Sequence, residues 1–320
     1  MSHADTIPVR VVAIEQVTPQ IKHFKLAAVD GSRLPAFSGG SHIIVVMNDV
    51  DRVHRNPYSL LGVPAQLETY EIAVRRMEQS RGGSHFMHDS VSVGTTLEIA
   101  HPVNLFGLSK IGRKHILIAG GVGITPILGQ MEDLHQDGVP YEIHYSVRAP
   151  EHAAFLSRLQ QRAADRLKLY YDSSGHAIDF DGLLSTQPLG THFYVCGPAG
   201  MIEVVLAKAR AWGWPESHIH WEQFSAPPAG EAFDVHLAKS RVDVHVVPDQ
   251  SLLESIEAAG VEVPYLCRGG VCGFCRTEVL ELEGELLHND HYLSDEEKAS
   301  GKVIMPCVSR ARCRKLVLDL

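Results

Sequence analysis

Five of the six cysteines fall in the last 54 residues, and three of them, Cys267, Cys272 and Cys275, are spaced C-x4-C-x2-C. Cys307 follows after 31 intervening residues. No other feature limits the possible folds as strongly. Six cysteines in 320 residues are too few for a disulfide framework, and clustered thiols point to a metal site. The spacing is that of a [2Fe–2S] ligand set. Three thiolates must surround a small cluster within nine residues of chain. Gly269, Gly270 and Gly273 let the backbone pass close to the sulfides, where N–H groups help set the potential. The fourth ligand then comes from another part of the fold. Zinc is the competing reading, but zinc sites usually join one C-x2-4-C unit to a second, and no matched second pair is present. A set of buried free thiols is the bland alternative. Cys313, within Arg310-Ala311-Arg312-Cys313-Arg314-Lys315, is expected to be a free thiol rather than a ligand.

The rest of the chain sets broader bounds. Its length suggests about two domains. Hydrophobic residues make up 45% and charged residues 21%, which excludes disorder, collagen and coiled coil as whole-chain descriptions. A formal charge of −9 argues against non-specific nucleic-acid binding. No apolar run is long enough to span a membrane, and the N-terminal MSHADTIPVR has no signal pattern. A cytoplasmic protein is expected.

The hydrophobic pattern divides the chain into three modules. Short β-branched runs at 8–17, 21–29, 41–47 and 70–75, punctuated by glycine and proline, predict a β-barrel or sandwich. From about Lys110 the pattern alternates. Strands are expected at 115–119, 141–146, 167–171 and 192–196, and helices at about 126–136, 153–164 and 199–212. That alternation predicts a parallel sheet with crossover helices. Ser225-Ala226-Pro227-Pro228-Ala229-Gly230 resists regular structure and predicts a linker. A hairpin at 234–239 and 241–247 and a helix at about 251–259 then precede the cysteine-rich loop.

Glycine-rich turns suggest where ligands bind. Ala119-Gly120-Gly121-Val122-Gly123-Ile124-Thr125-Pro126 follows a strand and opens a helix, a context that suits a dinucleotide. Pro126 fits the first helical turn. Ser80-Arg81-Gly82-Gly83-Ser84-His85-Phe86 would expose N–H groups to a phosphate, with Ser84 near a helix start. Arg148 and Asp172-Ser173-Ser174 lie at predicted strand ends.

These segments carry a resemblance. Residues 263–320, including the closing Leu316-Val317-Leu318-Asp319-Leu320, resemble plant-type ferredoxin domains. His54-Arg55-Asn56-Pro57-Tyr58-Ser59-Leu60 resembles the R-x-Y-S flavin motif of the ferredoxin-NADP reductase superfamily, although Asn56 stands at the usual arginine position and Arg55 one residue earlier. Gly120 to Pro126 resembles that superfamily's GGxGITP segment, Cys196-Gly197-Pro198 its C-G-P segment, and Glu222-Gln223-Phe224 its E-x-F segment. The module order resembles the phthalate dioxygenase reductase family, which includes vanillate demethylase and carnitine monooxygenase reductases.

The resemblance implies a multi-domain protein: a flavin-binding β-barrel at 1–109, an α/β nucleotide domain at 110–224, a linker at 225–233 and an α+β (β-grasp) ferredoxin domain at 234–320. Tyr58, Ser59, Leu60, Ala73, Val74 and Arg75 would line the flavin. Arg55 or Asn56, with Gly82, Gly83 and Ser84, would meet its phosphate. Gly120, Gly121, Gly123, Thr125, Pro126, Cys196, Gly197 and Pro198 would hold the dinucleotide, with Arg148 and Asp172 near the adenosine ribose. Ser59, Thr125, Cys196 and Phe224 would surround the hydride transfer, Phe224 covering the flavin face. FMN is favoured over FAD, and NADH over NADPH because no basic residue follows Asp172 immediately. The implied activity carries electrons from NADH through FMN and the [2Fe–2S] cluster to a Rieske-type oxygenase, with the protein as a monomer. A diiron or acyl-CoA oxygenase acceptor is the alternative within enzymes. A non-catalytic electron carrier or redox sensor is the alternative outside them. The 19 histidines show no ligand spacing, and His42, His54, His85 and His88 are expected at the surface or as satisfied polar groups. The acidic stretches 281–285 and 295–297 read as solvated faces that could aid docking.

Overall fold

In a computed structural model, residues 6–50, 52–224 and 229–320 are described. They fall into two compact units, one ending at Phe224 and the other running to Leu320. Residues 225–228 of the expected linker lie outside the described residues.

The first unit begins with antiparallel strands β1 (Thr6–Thr18), β2 (Ile21–Ala28), β3 (Ser41–Asn48), β4 (Val53–Ser59) and β5 (Tyr70–Arg75). Helix α1 (Gly83–Asp89) and strands β6 (Thr96–Ala100) and β7 (Val103–Asn104) complete the module. The strand order is β4-β3-β6-β1-β2-β5, with β7 beside β3. Alternating side chains such as Val9, Val11, Phe24 and Leu26 fill the interior, as the β-branched pattern predicts.

The parallel sheet follows: β8 (Lys114–Gly120), α2 (Ile124–Asp137), β9 (Tyr141–Val147), α3 (Leu156–Ala163), β10 (Leu167–Tyr171), α4 (Phe180–Ser185), β11 (Thr191–Cys196), α5 (Ala199–Ala211) and β12 (Ile219–Glu222). Helix α4 and strand β12 add to the elements expected from the sequence. The order is β10-β9-β8-β11-β12. β8 is buried on both faces, so HILIA reads as a continuous apolar run rather than an alternation. The chain moves from β8 outward through β9 to β10, then returns to the other side of β8 as β11. The ends of β8 and β11 therefore diverge, which is where open parallel sheets hold ligands.

The two sheets of this unit share a core. Ile21, Leu61, Ala73 and Phe106 pack with Leu117, Ile124, Leu128 and Cys196. Arg158 of α3 adds an ionic tie to Glu71 of β5 (3.1 Å), as well as to Glu132 of α2 (3.5 Å).

The second unit contains β13 (Phe233–Leu237), β14 (Val242–Val246), α6 (Leu252–Ala258), β15 (Thr277–Leu287), α7 (Asp295–Ser300), β16 (Val303–Ile304) and β17 (Arg310–Leu318). The order β14-β13-β17-β15-β16 has β13 and β17 parallel and its other pairs antiparallel. Ser251 and Glu254 form a capping box that starts α6. Buried Arg310 donates to the carbonyls of Gln250, Glu231 (3.0 Å) and Val247 (3.1 Å), fixing the entering chain to β17. The 281–285 acids are exposed, as expected, and are also paired: Glu281 with Lys315, Glu283 with Arg314 (2.7 Å) and Glu285 with Arg312 (2.9 Å) across the β15–β17 ladder.

Candidate functional site

In the second unit, the loop between α6 and β15 carries Cys267, Cys272 and Cys275, and the turn between β16 and β17 brings Cys307 to them. Cys267, Cys275 and Cys307 are buried and Cys272 is half-buried. The Cys267 thiol neighbours those of Cys272 and Cys307, and the Cys307 thiol that of Cys275. These contacts lower the Cys267 thiol well below the ordinary range and lower Cys275 as well. They raise Cys307 and Cys272, the thiols that keep their protons beside Cys267 and Cys275. The Gly269 N–H donates to Cys267 Sγ (3.3 Å). The four thiols are thus neighbours in one cluster, three of them from the loop and Cys307 from the turn before β17. Among the described residues, no group of three or more His, Cys, Asp or Glu is disposed to hold a single metal ion. Four thiolates on the C-x4-C-x2-C spacing with a distant fourth cysteine fit a two-iron cluster.

The glycines of this loop differ in what they do. Gly270 has φ +76, and a Cβ there would lie 2.6 Å from Val308 Cγ2. Gly273 has φ +78, and a Cβ would enter the ring of Tyr292. A Cβ on Gly269 would meet only the Cys267 carbonyl, at an ordinary 3.7 Å, and this residue contributes its amide instead. Arg268 takes the left-handed conformation without being glycine (φ 51). It is held there by a buried ion pair with Glu257 of α6, its guanidinium 4.0 Å from the centre of the Tyr265 ring.

In the first unit, the turns after β8 and β11 pack against each other. A Cβ on Gly123 would collide with the Cys196 carbonyl, and one on Gly120 would lie 2.6 Å from Pro198 Cδ. Gly121 has φ +55 with nothing near its Cα, so its face of the turn is open. Thr125, in the first turn of α2, donates to the Val122 carbonyl (3.0 Å), and Pro126 follows it. Burial pushes the Cys196 thiol far up, and the facing Glu222 carboxylate adds to this, so the sulfur stays protonated and packs rather than attacks. Arg148 and Asp172 directly follow β9 and β10, and the Ser173 N–H donates to the Arg148 carbonyl (2.9 Å). Phe224 lies just beyond β12 and is 47% exposed.

The end of β4 reaches the same region. A Cβ on Gly129 of α2 would lie 2.9 Å from the Leu60 carbonyl. The adjacent Ser59 hydroxyl is buried and has no hydrogen-bond partner among the described residues, a cost the fold would relieve with a bound polar group. On β4, His54, Asn56 and Tyr58 share one face by strand alternation. A side chain at Gly82 would run into His54, and one at Gly83 into Asn56. Asn56 Nδ2 donates to Tyr58 Oη (3.3 Å), and burial pushes the Tyr58 phenol up to about 12. Arg55 falls on the opposite face of β4. Ser84 Oγ donates to Ser80 (2.9 Å) and accepts from the Met77 N–H (3.2 Å), which fixes the loop leading into α1. Ala73 and Val74 of β5 are buried, Arg75 closes that strand, and His88 donates to the Val74 carbonyl (2.8 Å). The orphaned Ser59 hydroxyl fits a polar group of a bound flavin, while Gly82 and Gly83 are glycine because His54 and Asn56 pack directly against them.

One constellation escapes the sequence reading. His115, His192, His218 and His220 gather with Tyr194 at the opposite ends of β8, β11 and β12 from the glycine turns. His192 Nδ1 and His220 Nε2 share a hydrogen bond (3.0 Å), and His220 stacks on Tyr194 at 4.4 Å. The signal was present as a histidine near the start of each strand, but only the strand order β8-β11-β12 makes them neighbours.

Comparison with known proteins agrees with this geometry. Residues 235–312 match the family described as 2Fe-2S iron-sulfur cluster binding domain, and residues 103–219 match the dimethylamine monooxygenase subunit DmmA-like N-terminal domain. The chain is 49% identical to the carnitine monooxygenase reductase subunit of Acinetobacter baumannii, over 100% of this chain and 99% of that one. It is 44% identical to the heme-dependent oxidative N-demethylase beta subunit of Ectopseudomonas mendocina, over 98% and 99%. The solved structure of phthalate dioxygenase reductase, described as modular for electron transfer from pyridine nucleotides to [2Fe-2S], superposes with a TM-score of 0.88 at 33% identity, over 98% of each chain. This chain therefore belongs to the phthalate dioxygenase reductase family, the reductase components of oxygenase systems, in which a flavin- and nucleotide-binding unit is joined to a [2Fe–2S] ferredoxin unit.

Proposed function

We propose that the protein takes electrons from NADH and delivers them singly to a Rieske-type oxygenase, using FMN and the cluster held by Cys267, Cys272, Cys275 and Cys307. The observation that carries this reading is the meeting of the β4 end, with its orphaned Ser59 hydroxyl, and α2, whose first turn lies against Cys196. A flavin bound there would supply the step from a two-electron hydride donor to single electrons, chemistry that no side chain supplies. The chain's task is to bind and orient. Gly120, Gly121 and Gly123 let the dinucleotide approach the backbone, with Thr125 and Pro126 opening the helix beneath it. Cys196, Gly197 and Pro198 support the nicotinamide, and Phe224 covers the flavin face until nicotinamide arrives. Tyr58, Ser59, Leu60, Ala73 and Val74 line the flavin ring. Gly82, Gly83 and Ser84 meet the phosphate. Asn56, on the face of β4 toward Gly83, takes the nearer polar role, with Arg55 and Arg75 at the margin. Asp172 accepts from the ribose hydroxyls and repels a 2′-phosphate, and Arg148 flanks it.

Among the described residues, no helix is long and apolar enough to cross a membrane. Free, clustered cysteines suit a reducing cytoplasmic setting, and the protein is read as a monomer. A second acceptor class has specific support: similarity to the beta subunit of a heme-dependent oxidative N-demethylase favours a heme-dependent partner as the alternative. Released flavin separated by chromatography should be FMN, and kcat/KM with ferricyanide should be higher for NADH than for NADPH. FAD in the released pool, a preference of the unsubstituted protein for NADPH, or an Asp172→Ala variant that discriminates against NADPH as strongly as before, contradicts these assignments.

A further inference from the structure

The four cysteines are not equally covered. Cys267, Cys275 and Cys307 are 7%, 2% and 3% exposed, whereas Cys272 is half-buried. The turn Cys272-Gly273-Phe274 is thus where the cluster site comes nearest to solvent. Two large aromatic side chains stand there: Phe274 is 57% exposed and Tyr292 50% exposed. They are contiguous, because the Tyr292 ring lies directly over Gly273, the residue before Phe274. Folding does not require a phenylalanine on this turn, since its side chain is mostly left in water. Exposed aromatics grouped in one place mark binding surfaces, and aromatic anchors carry much of the energy of interfaces.

Charge narrows the occupant. Residues 234–320 hold 10 basic and 15 acidic side chains, a net of −5. Exposed cations here are largely cancelled, Arg276 by Glu297 (3.4 Å) and Arg312 by Glu285 (2.9 Å). Asp295 and Glu296, three and four residues after Tyr292 in the first turn of α7, make no ion pair among the described residues. Electron transfer weakens steeply with distance, so an acceptor must dock where the cluster is least covered. We infer that Phe274 and Tyr292 form the docking patch for the oxygenase partner, an acceptor protein that presents an apolar pocket rimmed by basic side chains. This rests on the proposed electron delivery and adds the surface at which it happens.

The test uses the full chain loaded with flavin and cluster, with two acceptors: cytochrome c, a basic protein, and ferricyanide, a small anion that needs no docking surface. Phe274→Ala should raise the KM for cytochrome c by about threefold or more, with ferricyanide reduction and the visible cluster bands unchanged. Phe274→Tyr should restore the KM. Asp295→Asn with Glu296→Gln, which leaves the cluster loop untouched, should raise the same KM at low salt and not at high salt. An unchanged KM in both Phe274→Ala and the charge variant overturns the inference. So does slowed bleaching of the cluster by NADH in a single turnover of Phe274→Ala, which would make the patch the entry side for electrons. If the unsubstituted, cluster-loaded protein does not reduce cytochrome c with NADH, the proposed delivery itself fails and the patch with it.

Discussion

The glycine turn after β8 and the cysteine loop before β15 solve one problem in two ways. Both must bring backbone close to a ligand. The turn at Gly120 to Gly123 is held by backbone of its own sheet, with Gly123 against the Cys196 carbonyl and Gly120 against Pro198. It is complete before any ligand arrives. The loop at Cys267 to Cys275 is held by side chains: the Glu257–Arg268 ion pair, the Tyr292 ring over Gly273, and thiols in mutual contact. Its order depends on what the sulfurs bind. A preformed turn and a cofactor-completed loop should therefore fail differently.

The largest effect should fall on the preformed turn. Gly123→Ala has no room and should destabilise the first unit by about 3 kcal/mol, visible as a lowered denaturation midpoint. Gly121→Ala meets no neighbour but must adopt φ +55, and should cost only about 1–2 kcal/mol. Equal losses at the two positions would break the distinction. In the loop, Glu257→Gln strands the buried Arg268 cation and should cost about 3 kcal/mol in the second unit. It should also raise the cluster midpoint potential, because an uncompensated positive charge favours the reduced cluster. An unmoved potential in EPR-monitored titration would remove Glu257 from that role.

A smaller effect concerns pH. Burial first, then the neighbouring His192, lowers His115 and His220 from 6.5 to about 4. The unfolded chain therefore binds more protons in that window. The stabilisation is complete above about pH 6.5 and is lost as pH falls toward about 4. Melting temperature of the first unit should drop through this range, and His220→Gln should flatten the drop. An unchanged slope would contradict it. Smallest of all, Arg312→Ala removes an exposed cross-strand pair and should change stability by less than about 1 kcal/mol.

The sequence showed some of this more clearly than the rest, for physical reasons. Ligand spacing within nine residues is local, so Cys267, Cys272 and Cys275 were legible, as was the turn at Gly120 to Gly123 between a buried strand and a helix. The pairing of Glu281, Glu283 and Glu285 with Lys315, Arg314 and Arg312 was not, because it depends on the register of β15 with β17, some thirty residues away. The histidine row was hidden for the same reason. The side of β4 that carries Asn56, and not Arg55, toward Gly83 follows from alternation once the strand is fixed.

The central claim is that electrons from a pyridine nucleotide leave through the four-cysteine cluster. Anaerobic NADH addition to the loaded protein and to Cys272→Ser, followed by visible and EPR spectra and then by cytochrome c, tests it most directly. NADH should bleach flavin and cluster bands in the unsubstituted protein. Cys272→Ser should still lose its flavin absorbance but fail to reduce cytochrome c. Cytochrome c reduction by Cys272→Ser at the unsubstituted rate would contradict the account.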